Sequence, residues 1–240
     1  MKKLLTALSI VLLSTSLAGA KTVQFEASDG VTVTADFKEP DGSYKSVVVL
    51  FHMAGASRGE YTNISKRLNT LGYATLAVDQ RSGGSFNGVR NETVRSAGGS
   101  TDYVGAIPDL VAASHWARKN ASASHVGVLG SSYSAGLVLV LSAQDRKFAD
   151  AVMSFSPGEY YGSKNYVAKK VGDIKAPTFL TSARGEARQW QKFAGRIGSP
   201  VVGFIPKGSG RHGASSLDGN GAAEYWVALE GFLGRYLPAK

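Results

Sequence analysis

Apolar residues along the chain alternate between short continuous runs and longer segments with helical spacing. The short runs are rich in β-branched side chains, which is typical of strands buried on both faces of a sheet. They lie at residues 46–52, 73–79, 125–130, 150–156, 178–182 and 201–206. Helical spacing is clearest at residues 61–71, 190–197 and 225–236. The alternation predicts an α/β fold with a mainly parallel central sheet and helices on both faces.

Three other segments modify this picture. Residues 22–40 read as two short strands turning at Asp29-Gly30, which predicts an antiparallel hairpin added to the sheet. Residues 81–100 are polar and rich in Gly, so we expect either a loop over the site or a flexible insertion. Pro108 marks either the start of the helix before residue 125 or a kink in it. No repeat or compositional break divides residues 21–240, so one domain is expected.

The first twenty residues have the features of a secretory signal peptide. A basic start is followed by a short apolar stretch and then by small residues before Lys21. The apolar stretch is too short to span a bilayer comfortably. We therefore expect residues 1–20 to be removed and the protein to be periplasmic or secreted, with no membrane anchor.

Composition narrows the possible chemistry. The chain contains no cysteine, which excludes disulfides, thiolate metal sites and a cysteine nucleophile. Its formal net charge is +9, but no basic cluster is interleaved with aromatic residues, so a nucleic-acid partner is not expected. A modest basic excess favours anionic surfaces or substrates, although it is also ordinary for a solvated surface.

The segment "GVLGSSYSAG" supplies a candidate nucleophile. Gly130, Ser132 and Ser134 match the Gly-x-Ser-x-Gly pattern of a strained strand-to-helix turn, with serine at the last position. Serine is small enough for that position, whereas bulky residues would collide across the turn. The alternative is that these serines only cap the following helix. Because the pattern follows a predicted strand and precedes a helix of small residues, it favours Ser132 as a nucleophile.

A serine nucleophile needs a general base, and the topology separates the four histidines. His125 opens its strand and is therefore at the opposite end of the sheet from Ser132. His115 lies on a helix, and His52 lies in the turn after a strand, where it can bond local backbone. His212 follows the last strand in a Gly-rich loop on the correct side of the sheet. We predict His212 as the base.

Two glutamates are candidates for the acid that orients the base. Glu186 follows the next-to-last strand, and Glu159 follows the strand before it. Both are expected at the carboxyl edge of the sheet, where open parallel sheets bind ligands. Position favours Glu186 and leaves Glu159 as the alternative. Either could also be a surface carboxylate near the start of a helix.

Two backbone N–H groups are expected to bind a developing oxyanion. The first belongs to Tyr133, which directly follows the nucleophile. The second should come from the turn after the strand at residues 46–52, because proteins with this kind of nucleophile turn usually take their second donor from that loop. We predict Met53 for this role, with Ala54 as the alternative because a one-residue shift fits the same turn.

Five segments together resemble the α/β-hydrolase superfamily, and within it the small dienelactone-hydrolase-like members. They are "VVVLFHMAG", "LGYATLAVDQRSGG", "VGVLGSSYSAG", "APTFLTSARGE" and "GSGRHG". The resemblance implies the α/β-hydrolase fold, with Ser132, Glu186 and His212 as the triad and Tyr133 and Met53 as oxyanion donors. The dienelactone hydrolases themselves use cysteine, so their lactone substrate is not implied. The short segment 158–175 implies that no cap domain covers the site.

These observations predict a serine hydrolase that cleaves a small-molecule carboxylic ester through an acyl-enzyme, without a metal or organic cofactor. A peptidase or an acyltransferase could use the same residues. A binding protein that retains the fold without turnover is a further alternative, since fold alone does not determine function.

Overall fold

A computed structural model of the chain describes residues 19–240. The predicted signal peptide, residues 1–20, lies almost wholly outside the described residues and stays a prediction. Within the described part, no helix has the length and apolar character needed to cross a membrane.

The elements are numbered here in chain order. The strands are β1 (Lys21–Glu26), β2 (Thr32–Lys38), β3 (Ser46–Phe51), β4 (Ala74–Val78), β5 (Ser85–Phe86), β6 (Val89–Arg90), β7 (His125–Ser131), β8 (Ala151–Phe155), β9 (Thr178–Thr181) and β10 (Val201–Phe204). The α-helices are α1 (Thr62–Thr70), α2 (Glu92–Ser96), α3 (Ile107–Asn120), α4 (Tyr133–Gln144), α5 (Ala187–Ala194) and α6 (Ala222–Tyr236). Short 3₁₀ turns cover Arg58–Tyr61, Val104–Ala106, Val171–Asp173, Arg184–Glu186 and Gly213–Leu217.

In the part of the chain that the structure describes, eight strands form one sheet in the order β1-β2-β4-β3-β7-β8-β9-β10. The hairpin β1-β2 is antiparallel, and β2 also runs antiparallel to β4. Every pairing from β4 to β10 is parallel. The predicted mainly parallel sheet with an antiparallel N-terminal hairpin is therefore confirmed.

Successive residues of the central strands supply two separate cores. Val49 and Val128 point to the face that packs against α3, α4 and α5. Their neighbours Val48 and Leu129 point to the opposite face, which packs against α1 and α6. This division follows from the period of two in a strand, and it explains why the apolar runs are continuous. Because both faces are covered, ligands can reach the sheet only at its edges and ends.

The segments that interrupted the sequence pattern have defined structures. Residues 81–100 contain the small hairpin β5-β6 and helix α2, and Thr93 Oγ1 accepts a hydrogen bond from the backbone N–H of Thr34. Pro108 lies in the first turn of α3, so it marks the start of that helix and not a kink. The fully buried Asp109 pairs with Arg81, which also binds Asp29 of the β1-β2 turn. These contacts fasten the start of the long segment to the sheet.

Candidate active site

Ser132 occupies a strained turn between β7 and α4. Its backbone has φ 59° and ψ −119°, a combination that L-residues other than glycine rarely adopt. Small neighbours make this turn possible, because a Cβ at Gly130 would lie 2.5 Å from the carbonyl oxygen of Ser134. The Ser134 hydroxyl, where the pattern usually has glycine, donates to the carbonyl of His52 at 2.6 Å. The turn therefore has the predicted shape, and its unusual serine links it to the end of β3.

The side chains of Ser132, His212 and Glu186 form a continuous hydrogen-bonded line. Ser132 Oγ lies 2.7 Å from His212 Nε2, and His212 Nδ1 lies 2.7 Å from Glu186 Oε1. In the neutral imidazole, Nδ1–H donates to the carboxylate and Nε2 accepts from the serine hydroxyl. The His212 side chain is 41% exposed, so the line opens directly to solvent.

Glu159, the alternative acid, has a different position and different partners. Its two carboxylate oxygens accept hydrogen bonds from the backbone N–H groups of Val167 and Ala168, at 2.8 and 2.9 Å. The Glu159 carboxylate therefore organises the segment between β8 and β9. Of the two glutamates, the structure brings only Glu186 to His212.

Ser156 contacts Glu186, the candidate acid, and this role is not apparent from the sequence. Its hydroxyl donates to Glu186 Oε2 at 2.6 Å and accepts from the backbone N–H of Gly213 at 2.8 Å. The residue has a φ of 57°, which turns the chain sharply at the end of β8. Ser156 therefore fixes both the carboxylate and the loop that carries His212. The sequence feature that could have indicated Ser156 is its position at the carboxyl end of β8, the strand next to β7.

The turn after β3 differs in one respect from the prediction. The Met53 N–H donates to the side chain of Glu60, at 2.7 Å from Oε2, and is therefore occupied. Among the described residues, no acceptor is found for the N–H of Ala54. The N–H of Tyr133 is also without an intrahelical partner, because it belongs to the first turn of α4. The arrangement corrects the expectation for Met53 and favours Ala54, the alternative, as the second donor.

Glu60 is a buried carboxylate that contacts Ser131, the residue before Ser132. Its burial is also not apparent from the sequence. Oε1 accepts from the hydroxyl of Ser131 at 2.7 Å, and that hydroxyl accepts from the N–H of Ala214 at 2.9 Å. Burial raises the pKa of Glu60 to about 7, while hydrogen bonds from Met53 and Ser131 and the nearby His212 act in the opposite direction. The network joins the turn after β3, the nucleophile strand and the His212 loop.

His52 has a structural position and does not belong to the triad. Its Nδ1 lies 2.7 Å from the carbonyl oxygen of Met53, and its Nε2 accepts from the N–H of Gln80 at 3.0 Å. Complete burial lowers the pKa of His52 to about 4, so the ring is neutral at ordinary pH. The ring thereby connects the turns that follow β3 and β4. In the described residues, no group of three or more His, Asp or Glu side chains is arranged to hold a metal ion.

The sequence also matches the model of a known protein family. The model of the X-Pro dipeptidyl-peptidase (S15) family matches residues 29–193, more than half of the chain. The match includes Ser132 and Glu186 and ends before His212. No curated protein sequence gives a significant match.

Several solved structures share the fold. A dienelactone hydrolase from Anabaena variabilis aligns with a TM-score of 0.68 and 20% identity, covering 91% of this chain and 98% of that one. An esterase from Pyrococcus furiosus, Pf2001, aligns with a TM-score of 0.71 and 22% identity, covering 91% and 93%. An acylaminoacyl peptidase from Pyrococcus horikoshii aligns with a TM-score of 0.66 and 17% identity, covering 91% of this chain but 42% of that longer one.

Proposed function

We propose that this chain, which belongs to the X-Pro dipeptidyl-peptidase (S15) family within the α/β-hydrolase superfamily, hydrolyses carboxylic esters of small molecules through an acyl-enzyme. Ser132 is the nucleophile, His212 the general base and acid, and Glu186 the carboxylate that orients the imidazole. One observation carries this proposal: the two 2.7 Å contacts that join the three side chains at the carboxyl edge of the sheet.

Acylation follows from the positions of these groups. Ser132 Oγ attacks the ester carbonyl carbon, and its proton passes to His212 Nε2. The carbonyl oxygen takes up the displaced electron pair and is stabilised by the N–H groups of Tyr133 and Ala54. When the intermediate collapses, the bond from carbon to the alcohol oxygen breaks and His212 gives its proton to the leaving alcohol. Glu186 accepts from Nδ1–H throughout, so it stabilises the imidazolium.

Deacylation repeats the sequence with water as the nucleophile. His212 Nε2 removes a proton from water, the resulting hydroxide attacks the acyl carbon, and Ser132 regains its proton as the free acid leaves. Water can enter because His212 is 41% exposed and the segment between β8 and β9 adds only the short turn Val171–Asp173. The same openness supports a small ester as the substrate.

The test is hydrolysis of p-nitrophenyl acetate by the purified protein and four variants. We expect Ser132→Ala, His212→Ala and Glu186→Gln to lower kcat by roughly 10⁴-fold, as in other triads. Glu159→Gln is the matched control, because its carboxylate binds only backbone N–H groups, and it should keep kcat within about twofold of the parent. Comparable losses for both glutamate variants would contradict the assignment of the acid. A parent protein that neither hydrolyses the ester nor reacts with a fluorophosphonate would favour a binding role.

A peptidase is the second candidate, and the match to the X-Pro dipeptidyl-peptidase family favours it. The same groups would act, with the amine nitrogen taking the proton from His212. Alanyl-prolyl-p-nitroanilide and p-nitrophenyl acetate distinguish the two. A kcat/KM for the anilide equal to or above that for the ester would replace the esterase proposal with the peptidase.

We also infer that the protein acts outside the cytoplasm, since the first twenty residues have the pattern of a cleaved leader.

A further inference from the structure

A cleft of about 340 Å³ lies between the segment that precedes α3 and the segment that follows β8. Three of its six lining residues are tyrosines. The lining residues are Asp102, Tyr103, Val104, Tyr160, Tyr161 and Gly162. The volume suits one six-membered ring with a short chain, because ligand sites are usually concave and mostly apolar.

Two of the tyrosines are fastened to the residue that follows the nucleophile. The ring of Tyr103 stacks on the ring of Tyr133, with centroids 4.5 Å apart and an angle of 19° between the planes. The hydroxyl of Tyr161 donates to the carbonyl of Tyr133. Since Tyr133 directly follows Ser132, this wall begins next to the nucleophile.

Tyr160 forms the boundary between the cleft and the triad. Its hydroxyl lies 3.2 Å from the carbonyl oxygen of Ser156, the residue that holds Glu186. Burial raises the pKa of Tyr160 to about 12, and the nearby Glu186 carboxylate acts in the same direction. The cleft therefore ends beside Ser156, which holds Glu186, and beside Tyr133, which directly follows Ser132.

The mouth of the cleft exposes an apolar side chain. Val104 is 39% exposed, and the only other exposed large aliphatic or aromatic side chain of the described residues is Val227, on α6. Val104 is therefore an accessible position at the rim of the cleft.

The polar groups of the cleft exclude an anionic ligand. The Asp102 carboxylate lines the cleft and accepts the N–H of Gly105 at 2.7 Å. The other polar side chains of the lining are phenols, and none is a cation. A negatively charged substituent would meet the Asp102 carboxylate without a compensating charge, so a neutral ring fits best.

The position of the cleft favours the acyl side of the ester over the alcohol as its occupant. The leaving alcohol must contact His212 Nε2 to take its proton. None of the lining residues comes from the His212 loop; they come from residues 102–104 and 160–162. We therefore expect the alcohol on the side of the His212 loop, which leaves the cleft for the acyl group.

We propose that this cleft is the acyl subsite and that it selects an uncharged aromatic acyl group, such as an arylalkanoyl or arylacryloyl group. The proposal rests on the proposed ester hydrolysis at Ser132. Its physical basis is stacking against the tyrosine wall, which a saturated ring of similar size cannot reproduce.

The first test compares p-nitrophenyl 3-phenylpropionate with p-nitrophenyl 3-cyclohexylpropionate, which differ only in the aromaticity of the ring. We expect kcat/KM to be about fivefold higher for the phenyl ester, within the range of an aromatic pair. Equal values, or a preference for the cyclohexyl ester, would overturn the proposal. p-Nitrophenyl acetate separates this failure from a failure of the proposed function, because its hydrolysis needs Ser132 but not the cleft.

Val104→Trp tests whether the acyl group binds in this cleft. The larger side chain would fill the cleft from its exposed rim without disturbing the core. The ratio of kcat/KM for the phenylpropionyl ester to that for the acetyl ester should fall by roughly tenfold. Val227→Trp is the matched control on α6, 72% exposed and outside the cleft, and it should not change the ratio. An unchanged ratio in Val104→Trp would place the acyl group elsewhere.

A binding measurement keeps the test independent of turnover. Methyl 3-phenylpropionate and methyl 3-cyclohexylpropionate are titrated into the Ser132→Ala variant, and quenching of tyrosine and tryptophan fluorescence reports binding. The phenyl ester should bind several-fold more tightly, and Val104→Trp should remove the difference. Equal affinities for the two esters would refute an aromatic subsite even if the protein proves to be a peptidase.

Discussion

Replacing Glu60 with glutamine should stabilise the protein at alkaline pH while leaving its stability in acid nearly unchanged. Glu60 is 5% exposed, and its pKa is about 7 in the folded chain against an ordinary value of 4.5. The folded state therefore binds the proton more tightly than the unfolded state. Stability contributed by Glu60 is fully present below pH 4.5 and is lost as the pH rises to about 7.

The size of the effect follows from the two pKa values. A difference of about 2.5 between them corresponds to about 3 kcal/mol of unfolding free energy at pH 8. At pH 5 the same values leave a difference of less than about 1 kcal/mol. Glutamine is the informative substitution, because its amide oxygen can accept from Met53 N–H and its amide nitrogen can donate to the Ser131 hydroxyl. The variant thus keeps a partner for both atoms, with the direction of the Ser131 hydrogen bond reversed, and removes the charge.

The assay is urea unfolding of the parent and of Glu60→Gln at pH 5 and pH 8, followed by tryptophan fluorescence. The difference in unfolding free energy should grow from less than about 1 to about 3 kcal/mol in favour of the variant. Glu26→Gln, at an exposed position of β1, is the control and should show no pH-dependent difference. A difference for Glu60→Gln that is the same at both pH values would refute the reasoning from buried charge.

Two further predictions follow from other contacts, and a third follows from the pattern of the first twenty residues. Ser156→Ala should lower kcat on p-nitrophenyl acetate by roughly tenfold to a hundredfold, because Glu186 loses a charged hydrogen bond; a change below twofold would contradict its supporting role. Asp109→Ala should lower the unfolding free energy by roughly 3–5 kcal/mol, because Arg81, which is only 6% exposed, would keep a single and more exposed carboxylate partner, Asp29. Urea unfolding measures this loss, and a value below about 1 kcal/mol would refute the prediction. Protein exported by a bacterial host should begin at Lys21 by intact mass, and an uncleaved chain would refute the predicted leader.

The sequence was sufficient for the sheet and for bringing Ser132, His212 and the two candidate glutamates to one edge of it, because both depend on strand order. Ser132, Glu186 and His212 each follow a parallel strand, and the carboxyl ends of parallel strands meet at one edge. The choice between the two glutamates needed the structure. Glu159 also follows such a strand, but its carboxylate binds two amides of its own segment.

The oxyanion turn could not be predicted to the residue, for a physical reason. Which N–H is free depends on the direction of a single peptide group, and that direction is fixed by Glu60, seven positions after Met53. In the polar stretch "SRGEY" nothing distinguishes a buried carboxylate from an exposed one. The same holds for Ser156, which reads as an ordinary turn residue before Pro157. Contacts made by single polar atoms leave no periodic signal along the chain.

His212, the proposed general base, follows the outermost strand of the sheet. Within the described sheet, β10 pairs only with β9, through four residues that are partly exposed, and His212 follows it. Edge elements of this kind open at a lower free-energy cost than the interior of the sheet. Detachment of β10 would loosen the loop that carries the imidazole, which would then depend on contacts such as those of Gly213 with Ser156 and Ala214 with Ser131, while most of the two cores and the turn at Ser132 remain. Mild denaturant should therefore abolish hydrolysis before it melts the fold, and dilution should restore activity without refolding of the whole chain.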